Sequence, residues 1–252
     1  PDDRPSTLQF RFNAGLYSSS LGIAEASQSL WHNNTHQRIV LEYDTDLATK
    51  PTAFSGSILD PEHQYANLKF TPDGGNYATV RLPFLDGGWW SIQVTRDGTD
   101  FTLWAANKIY SGSDGTQIGF FESSSISGND AYWKSNGASN FPSQGGGSTG
   151  GYEPLRGSYQ EIRYYTTQIS ESVFKDYVMN PLSFEGNSIA SGSLDKAPDE
   201  LAFRATLGGE LYTGSTSIHP KVTGSWAATS SFASDSNFTI TQGSFSDNRE
   251  YI

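Results

Sequence analysis

A predicted β-strand that runs directly into a short predicted helix constrains the fold of this chain more than any other segment. The strand starts at Gly157 and reads Gly-Ser-Tyr-Gln-Glu-Ile-Arg-Tyr-Tyr. The helix covers residues 171–179, where Ser170 can cap the first turn by accepting a backbone N–H bond. Asn180 and Pro181 end the helix, because a residue that precedes proline leaves the helical region. The junction lies late in a glycine-rich chain and predicts that a series of strands precedes it.

Alternating residues and turn signals predict those strands. Pro72-Asp73-Gly74-Gly75 and Asp97-Gly98 are hairpin turns between runs that alternate in character. No long segment repeats apolar residues at helical spacing, so the sequence predicts an all-β fold. The predicted strands before and after the junction cover residues 8–12, 38–43, 65–70, 78–82, 90–95, 101–105, 201–205 and 238–240.

The charge and the cysteine content exclude several functions. With 16 Lys and Arg against 27 Asp and Glu, the net charge is −11, which disfavours nucleic acid as a partner because it needs clustered cations. An anionic membrane surface is disfavoured for the same reason, and no apolar run is long enough to insert across a bilayer. The chain has no cysteine, and therefore no disulfide, thiol nucleophile or Cys-ligated metal. This composition suits assembly in a reducing cytosol, as for a virion component.

Two blocks of the sequence resemble laminin-G-like, concanavalin A-like modules. The first is the hairpin over residues 88–104, and the second is the strand and helix start over residues 157–170. The family form of the second block is Gly-Ser-Ile-Asp-Glu-Val-Arg-Ile-Tyr followed by Leu-Ser. The chain departs from the family pattern at Gln160, where the family favours Asp, and at Ala106, where it favours Asp or Asn. The resemblance covers residues 8–182 and implies a jelly-roll β-sandwich of two antiparallel sheets.

The character of the sequence changes after the predicted helix, and this predicts a boundary. Segments rich in Ser, Thr and Gly contain few residues that could form a core. The predicted domains are a laminin-G-like/concanavalin A-like β-sandwich over residues 1–182 and a C-terminal β-rich extension, or part of a second domain, over residues 183–252. Residues 170–181 and 217–226 also resemble structural proteins of large marine viruses and phages, which carry such a module inside a longer chain.

Three carboxylates lie at the end of the strand predicted over residues 38–43. Glu42, Asp44 and Asp46 share one face, because the side chains of a strand alternate. Jelly-roll glucanases place a nucleophile, a helper and a general acid on such a face, but with Glu at both outer positions. Asp46 is one carbon shorter, which misplaces the acid relative to the glycosidic oxygen. Two other interpretations remain. One is a calcium site built from Asp44 and Asp46, which makes calcium the one cofactor that the sequence suggests, and the other is a solvated strand end.

Trp89 and Trp104 are the predicted sugar-stacking residues of the sheet. By alternation, Trp89 shares its face with the polar residues of its strand, and Trp104 shares its face with Thr102 and Ala106. A tryptophan beside polar residues is what a glycan-binding sheet face would present. The alternative is that both side chains pack under the 183–252 extension.

Trp31, Tyr132 and Trp133 are predicted to be loop aromatics. All three lie among Asn, Ser and Gly residues, and Tyr132 and Trp133 belong to a flexible loop predicted over residues 123–151. Such mixtures suit glycan stacking and adaptable hydrogen bonding. They equally suit a protein interface, where aromatic residues are enriched. For any single one of them, packing within the loop is favoured over either role.

Three functions follow from the resemblance and from these residues, since this fold hosts lectins, glucanases and inert spacers. The first is a non-catalytic structural or adhesion protein of a virion, in which the sandwich contacts other structural subunits or host cell-surface glycans. The second is a secreted or cell-surface carbohydrate-binding module, with or without calcium. The third is a jelly-roll glycoside hydrolase, which the incomplete carboxylate pattern disfavours. We expect the first function, with the virion as the location and no enzymatic activity.

Overall fold

The computed structural model defines fourteen strands and one helix in the part of the chain that it describes. The described residues are 6–15, 27–33, 36–43, 64–112, 115–131, 133, 139–142, 151–181, 201–205, 207, 211–214 and 217–220. The strands are Ser6–Asn13 (β1), Gln28–Asn33 (β2), Gln37–Tyr43 (β3), Ala66–Thr71 (β4), Ala78–Leu82 (β5), Trp90–Asp97 (β6), Asp100–Ser111 (β7), Gly115–Ser127 (β8), Ser139–Asn140 (β9), Glu153–Pro154 (β10), Ser158–Tyr165 (β11), Leu201–Ala205 (β12), Leu211–Gly214 (β13) and Ser217–Pro220 (β14). The helix α1 is Glu171–Met179, between β11 and β12.

Two sheets form a β-sandwich. Sheet I has the strand order β12-β11-β1-β6-β7-β8, and sheet II has the order β10-β2-β3-β4-β5, with β9 beside β2. The paired strands are antiparallel, apart from β10 and β2, which are parallel. Strands β13 and β14 pair in a two-stranded sheet of their own. The predicted fold class, an all-β sandwich with one short helix, is confirmed for the described residues.

The core lies between the two sheets and follows from the alternation along each strand. On β1, Leu8, Phe10 and Phe12 point inward and are at most 5% exposed. The other strands of both sheets supply further core residues, which include Ile39, Leu41, Leu68, Phe70, Val80, Trp90, Ile92, Val94 and Leu103. These side chains form one buried cluster, so the hydrophobic effect holds the two sheets together.

The outer face of sheet I is polar, yet it is buried. Thr7 of β1 and Gln93 of β6 are both 0% exposed. Residues 166–181 cover this face, beginning with the turn that joins β11 to α1. Thr7 Oγ1 donates to the Thr167 carbonyl (2.8 Å) and accepts from the Ile169 N–H (2.9 Å), and the Gln93 amide donates to the Ile169 carbonyl (3.1 Å). Buried polar groups of the sheet are thus paired with the backbone of the covering segment.

Helix α1 continues this cover over β7 and β8. Its bounds, Glu171–Met179, are those predicted from the sequence, and Ser170 caps it by accepting from the Val173 N–H (3.5 Å). Phe174 is fully buried, and its ring centroid lies 6.0 Å from that of Trp104 on β7. Within the described part of the chain, no helix combines the length and the apolar character needed to cross a membrane.

A buried carboxylate joins β11, β12 and the end of α1. Glu161 has a left-handed backbone conformation (φ 50°) at a β-bulge, where β11 has one residue more than β1. Its side chain is 0% exposed and accepts from Arg163 (2.7 and 3.1 Å) and from Arg204 (2.9 Å to each oxygen). Its carbonyl accepts from the Tyr177 hydroxyl (3.0 Å), and Arg163 also donates to the Pro181 carbonyl. One glutamate therefore connects the closing strand, the helix and the edge strand.

Strand β12 shows where the first described part of the predicted extension lies. Residues 201–205 form the edge strand of sheet I, antiparallel to β11, and both ends of this strand are buried. This segment of the predicted extension is therefore paired with a strand of the sandwich. Residues 182–200 and 221–252, with the strand predicted at 238–240, lie outside the described residues, so the boundary at residue 182 stays a prediction.

The remaining predicted strands are confirmed to within two residues at their starts, but β2 and β8, each longer than four residues, have no counterpart in the prediction. The predicted strands before the junction fall on β1 and β3 to β7, and the closing strand falls on β11. Seven of the thirteen residues of β8 are Ser, Thr or Gly, and β2 contains one Ser and one Asn. These residue types favour turns over strands when neighbours in space are unknown. Because β8 continues to Ser127, the loop predicted to begin at Ser123 begins later.

We expect Glu161→Gln to destabilise the sandwich strongly. The substitution keeps the shape of the side chain but leaves two buried arginines without a compensating charge, and breaking a buried ion pair costs about 3–5 kcal/mol. Glu171→Gln is the control, because Glu171 is exposed and pairs with Lys175 one helical turn away, an interaction that contributes about 0.5 kcal/mol or less. Chemical denaturation measures both values. Equal unfolding midpoints for the two variants would contradict the importance of the buried cluster.

Asp86 gives the stability of the fold a pH dependence. It lies in the turn before β6, where its Oδ1 accepts from the Gly88 N–H (2.7 Å) and from the Trp90 indole N–H (3.1 Å). Burial raises the pKa of Asp86 above its ordinary value of 3.8, against the effect of these hydrogen bonds. Folded Asp86 therefore holds its proton more tightly than unfolded Asp86. The free energy of unfolding consequently falls as the pH rises from the ordinary pKa through the raised one.

The variant Asp86→Asn isolates this contribution, because its amide oxygen can accept the same hydrogen bonds but does not titrate. We expect the free energy of unfolding of the unmodified protein, relative to that of the variant, to decrease as the pH rises from 3.8 towards neutrality. Denaturant titrations at a series of pH values measure this difference. A relative stability that increases with pH over the same range would show that the pKa of Asp86 is lowered instead.

Candidate ligand-binding face

The outer face of sheet II carries half-exposed charged side chains, in contrast to the covered face of sheet I. On β3, alternation directs Arg38, Val40 and Glu42 outward, because the residues between them belong to the core. Lys69 of β4 lies opposite Val40. Val40 itself is 0% exposed, so the longer side chains around it stand over an apolar floor.

Two tyrosines from turns complete the group. Tyr77, just before β5, accepts a hydrogen bond from the Arg38 guanidinium (2.9 Å), and its ring centroid lies 5.7 Å from Lys69 Nζ. Tyr152, just before β10, stacks on the same guanidinium, with 4.9 Å between Arg38 Cζ and the ring centroid. The two rings thus come from opposite edges of sheet II and both contact Arg38. We call Arg38, Glu42, Lys69, Tyr77 and Tyr152 the tyrosine–arginine cluster.

Glu42 orders the cluster and balances part of its positive charge. One oxygen of its carboxylate accepts from Lys69 Nζ, and the other accepts from the Tyr152 hydroxyl (3.4 Å). Burial raises the pKa of Tyr152, and the neighbouring Tyr77 adds to the shift. The Tyr152 hydroxyl is therefore neutral at physiological pH and can donate a hydrogen bond.

The cluster can stack against a ligand and hydrogen-bond to it at the same time. The side chains of Lys69 and Glu42 are 27% and 25% exposed, and Arg38 and both tyrosines are also partly exposed. Each tyrosine ring presents apolar surface, while the hydroxyl, guanidinium, ammonium and carboxylate groups supply donors and acceptors. This combination suits the recognition of a polyhydroxylated molecule.

The sheet face predicted around Trp89 is not open. The polar residues of β6 that share this face are at most 2% exposed, because residues 166–181 cover them. Trp89 itself is half-buried just before β6, with the Arg11 guanidinium 5.3 Å from its ring centroid. The expectation of an open glycan-binding face on β6 is therefore wrong. A role for Trp89 at the margin of this face stays a prediction.

Trp104 packs beneath helix α1. Its ring makes edge-to-face contacts with Phe174 (6.0 Å between centroids) and with Phe121 (5.8 Å). Its indole N–H has no hydrogen-bond partner among the described residues. The expectation that Trp104 is a packing residue fits the structure, with α1 supplying the cover that was assigned to residues 183–252.

Trp31 and Trp133 are core residues and not exposed loop aromatics. They are 3% and 6% exposed, and their ring centroids lie 5.8 Å apart. Trp31 belongs to β2, and the Trp133 indole N–H donates to Ser6 Oγ (2.8 Å) at the start of β1. The expectation that these rings are exposed for glycan stacking is wrong, because burying two large rings outweighs the polar character of their sequence neighbours. Tyr132 lies outside the described residues.

The predicted calcium site is not placed, because Asp44 and Asp46 lie outside the described residues. Glu42, the first of the three carboxylates, belongs to the tyrosine–arginine cluster. Within the described ranges, no group of three or more His, Asp or Glu side chains is arranged to hold a metal ion. Calcium binding stays a prediction.

Tyr77 and Tyr152 show little in the sequence that would mark them as site residues. The alternation of β3 is enough to place Arg38 and Glu42 on one face. No local pattern indicates that tyrosines from two distant turns reach that face. The one feature that the two tyrosines share is position: each follows a Gly or Asn of a turn and directly precedes a strand.

Comparison with known proteins gives no family assignment. No family model matches the chain, and no curated protein matches it. Among the solved structures similar to it is a native heptameric SAP-like pentraxin from Limulus polyphemus, with 10% sequence identity and a TM-score of 0.37, over 69% of this chain and 70% of that chain. A similarity of this size carries no argument about function. The fold rests on sheets I and II, and the candidate site rests on the tyrosine–arginine cluster.

Proposed function

We propose that the protein is a non-catalytic attachment protein that binds glycans through the tyrosine–arginine cluster. The observation that carries this proposal is the contact of both Tyr77, through its hydroxyl, and Tyr152, through its ring, with the Arg38 guanidinium on the outer face of sheet II. A sugar has apolar C–H surfaces and a rim of hydroxyl groups. The two rings supply apolar contact, and the charged groups between them supply hydrogen bonds in fixed positions.

A binding role fits the cluster better than glycoside hydrolysis does. Glycoside hydrolysis uses two carboxylates on either side of the scissile bond. The tyrosine–arginine cluster contains one carboxylate, Glu42. Its two oxygens accept hydrogen bonds from Lys69 and from Tyr152. Such a carboxylate orders its neighbours. If hydrolysis is detected nevertheless, unchanged turnover in Glu42→Gln would exclude this site as its origin.

Glycan-array screening and titration of tyrosine variants test the binding function. We expect the unmodified protein to bind at least one class of glycan. Tyr77→Ala and Tyr152→Ala should each weaken that binding about tenfold or more, because truncating a central aromatic contact costs about 2 kcal/mol. Tyr152→Phe keeps the ring and should retain most of the affinity.

Tyr110→Ala is the matched control, because Tyr110 is 76% exposed and lies on β7 of the other sheet. Circular dichroism and unfolding midpoints establish that each variant is folded. Equal losses in Tyr152→Ala and Tyr110→Ala would count against the cluster as the binding surface. A native protein that binds no glycan would remove the proposed function altogether.

The same array, repeated with calcium and with a chelator, addresses the calcium-dependent alternative. Loss of binding on chelation would favour a secreted or cell-surface module in which Asp44 and Asp46 hold the ion. Binding that is insensitive to the chelator is the result we expect from the tyrosine–arginine cluster alone.

The proposal also places this protein on a virion, in contact with other structural subunits and with host glycans. Its support is the resemblance of residues 170–181 and 217–226 to viral structural proteins, together with the lack of cysteine. An antibody against the chain should label intact purified particles in electron micrographs. Particles in which the chain is undetectable would leave a secreted or cell-surface glycan-binding protein.

A further inference from the structure

The charges of the tyrosine–arginine cluster narrow the class of glycan. We infer that the cluster binds an acidic sugar, whose carboxylate or sulfate group contacts the Arg38 guanidinium. This inference rests on the proposed glycan-binding function and adds the chemical class of the ligand to it.

In the described part of the chain, Arg38 is held by two tyrosine side chains and by no carboxylate. Among the described residues, its contacts are the Tyr77 hydroxyl at 2.9 Å and the Tyr152 ring at 4.9 Å. Both contacts fix the position of the guanidinium without neutralising it. The charge is therefore available to a ligand that reaches the two rings.

Three buried arginines of the structure are held in a different way, whereas a fourth, Arg11, donates to Gln160 Oε1 (3.2 Å) and lies 5.3 Å from the Trp89 ring centroid. Arg96 binds Asp130 at 2.7 Å, and Arg163 and Arg204 bind Glu161 at 2.7 and 2.9 Å. Each of these structural arginines is paired with a carboxylate, as expected for a buried charge. Arg38 departs from this pattern at the surface where the two tyrosines meet.

Positive charge also dominates the described outer face of sheet II. Among the described residues of β3, β4 and β5, alternation directs three cationic side chains outward, Arg38, Lys69 and Arg81, together with one carboxylate, that of Glu42. The whole chain has a net charge of −11. A positive surface on an acidic protein attracts an anionic ligand to that surface and orients it there.

The geometry of a guanidinium suits an acidic group. Its planar fork of N–H donors matches a carboxylate or sulfate, which can accept two parallel hydrogen bonds. The Tyr152 ring stacks on the Arg38 guanidinium and the Tyr77 hydroxyl accepts from it, so a sugar ring that contacts these tyrosines could present an acidic substituent to Arg38. A neutral sugar would make the stacking contact but would leave this charge uncompensated.

Isothermal titration with matched oligosaccharides tests the inference. The probes are an oligogalacturonate, its carboxyl-reduced neutral form, and a sulfated galactose oligomer of equal length. We expect at least one acidic probe to bind about tenfold or more tightly than the neutral probe, because hydrogen bonds to charged groups are the stronger ones. The comparison of the two acidic probes identifies the acidic group that is preferred.

Arginine variants attribute this preference to the cluster. Arg38→Gln should abolish the preference for the acidic probe. Arg156→Gln should retain it, because Arg156 is exposed and outside the cluster, and both variants change the net charge equally. Arg38→Lys keeps the charge without the fork and serves as the folded variant if Arg38→Gln does not fold; we expect it to lose part of the preference.

Each outcome is decisive. Equal affinity for acidic and neutral probes, or glycan binding on the array by neutral sugars alone, overturns the acidic-sugar inference and leaves the glycan-binding function standing. If Arg38→Gln and Arg156→Gln reduce the preference for acidic probes to the same extent, the inference is also overturned, because the preference then reflects the overall charge of the protein. A protein that binds no probe and no glycan on the array overturns the proposed function and this inference together.

Discussion

The buried carboxylate of Glu161 is the interaction on which the arrangement of the fold depends. Two buried arginines bind it, one from the closing strand and one from β12, and its backbone carbonyl accepts from the Tyr177 hydroxyl of α1. Burying any one of these charges alone would be costly, so the closing strand, the helix and the edge strand are stable in this position only together. The cover on the outer face of sheet I follows from this dependence.

The position of this cover leaves the two sheets with different outer faces. On sheet I, polar side chains such as Thr7 and Gln93 bond to the chain's own backbone and are inaccessible. On sheet II, Arg38 and its charged neighbours remain partly exposed, and tyrosines from two turns meet over them. One rule of alternation thus produces a closed polar face on one sheet and a candidate ligand face on the other.

Local sequence patterns predicted the helix and most strands, because caps, turns and alternation depend on residues that are close in sequence. They did not predict features that depend on strand order. Trp31 and Trp133 lie in polar surroundings in the sequence but pair in the core. Tyr77 and Tyr152 lie in separate turns and meet at Arg38. Glycan binding could be suggested from the resemblance, whereas its candidate surface required the sheet topology.

Hydrogen–deuterium exchange with and without a bound acidic oligosaccharide tests most directly that sheet II is the ligand face. The ligand should slow amide exchange in β3 and β4 and in the turns that carry Tyr77 and Tyr152, and should leave α1 and the covered face of sheet I unchanged. Slowed exchange confined to α1, to β7 and β8, or to the turn around Trp89 would contradict this account, because the ligand would then occupy the face that the helix covers.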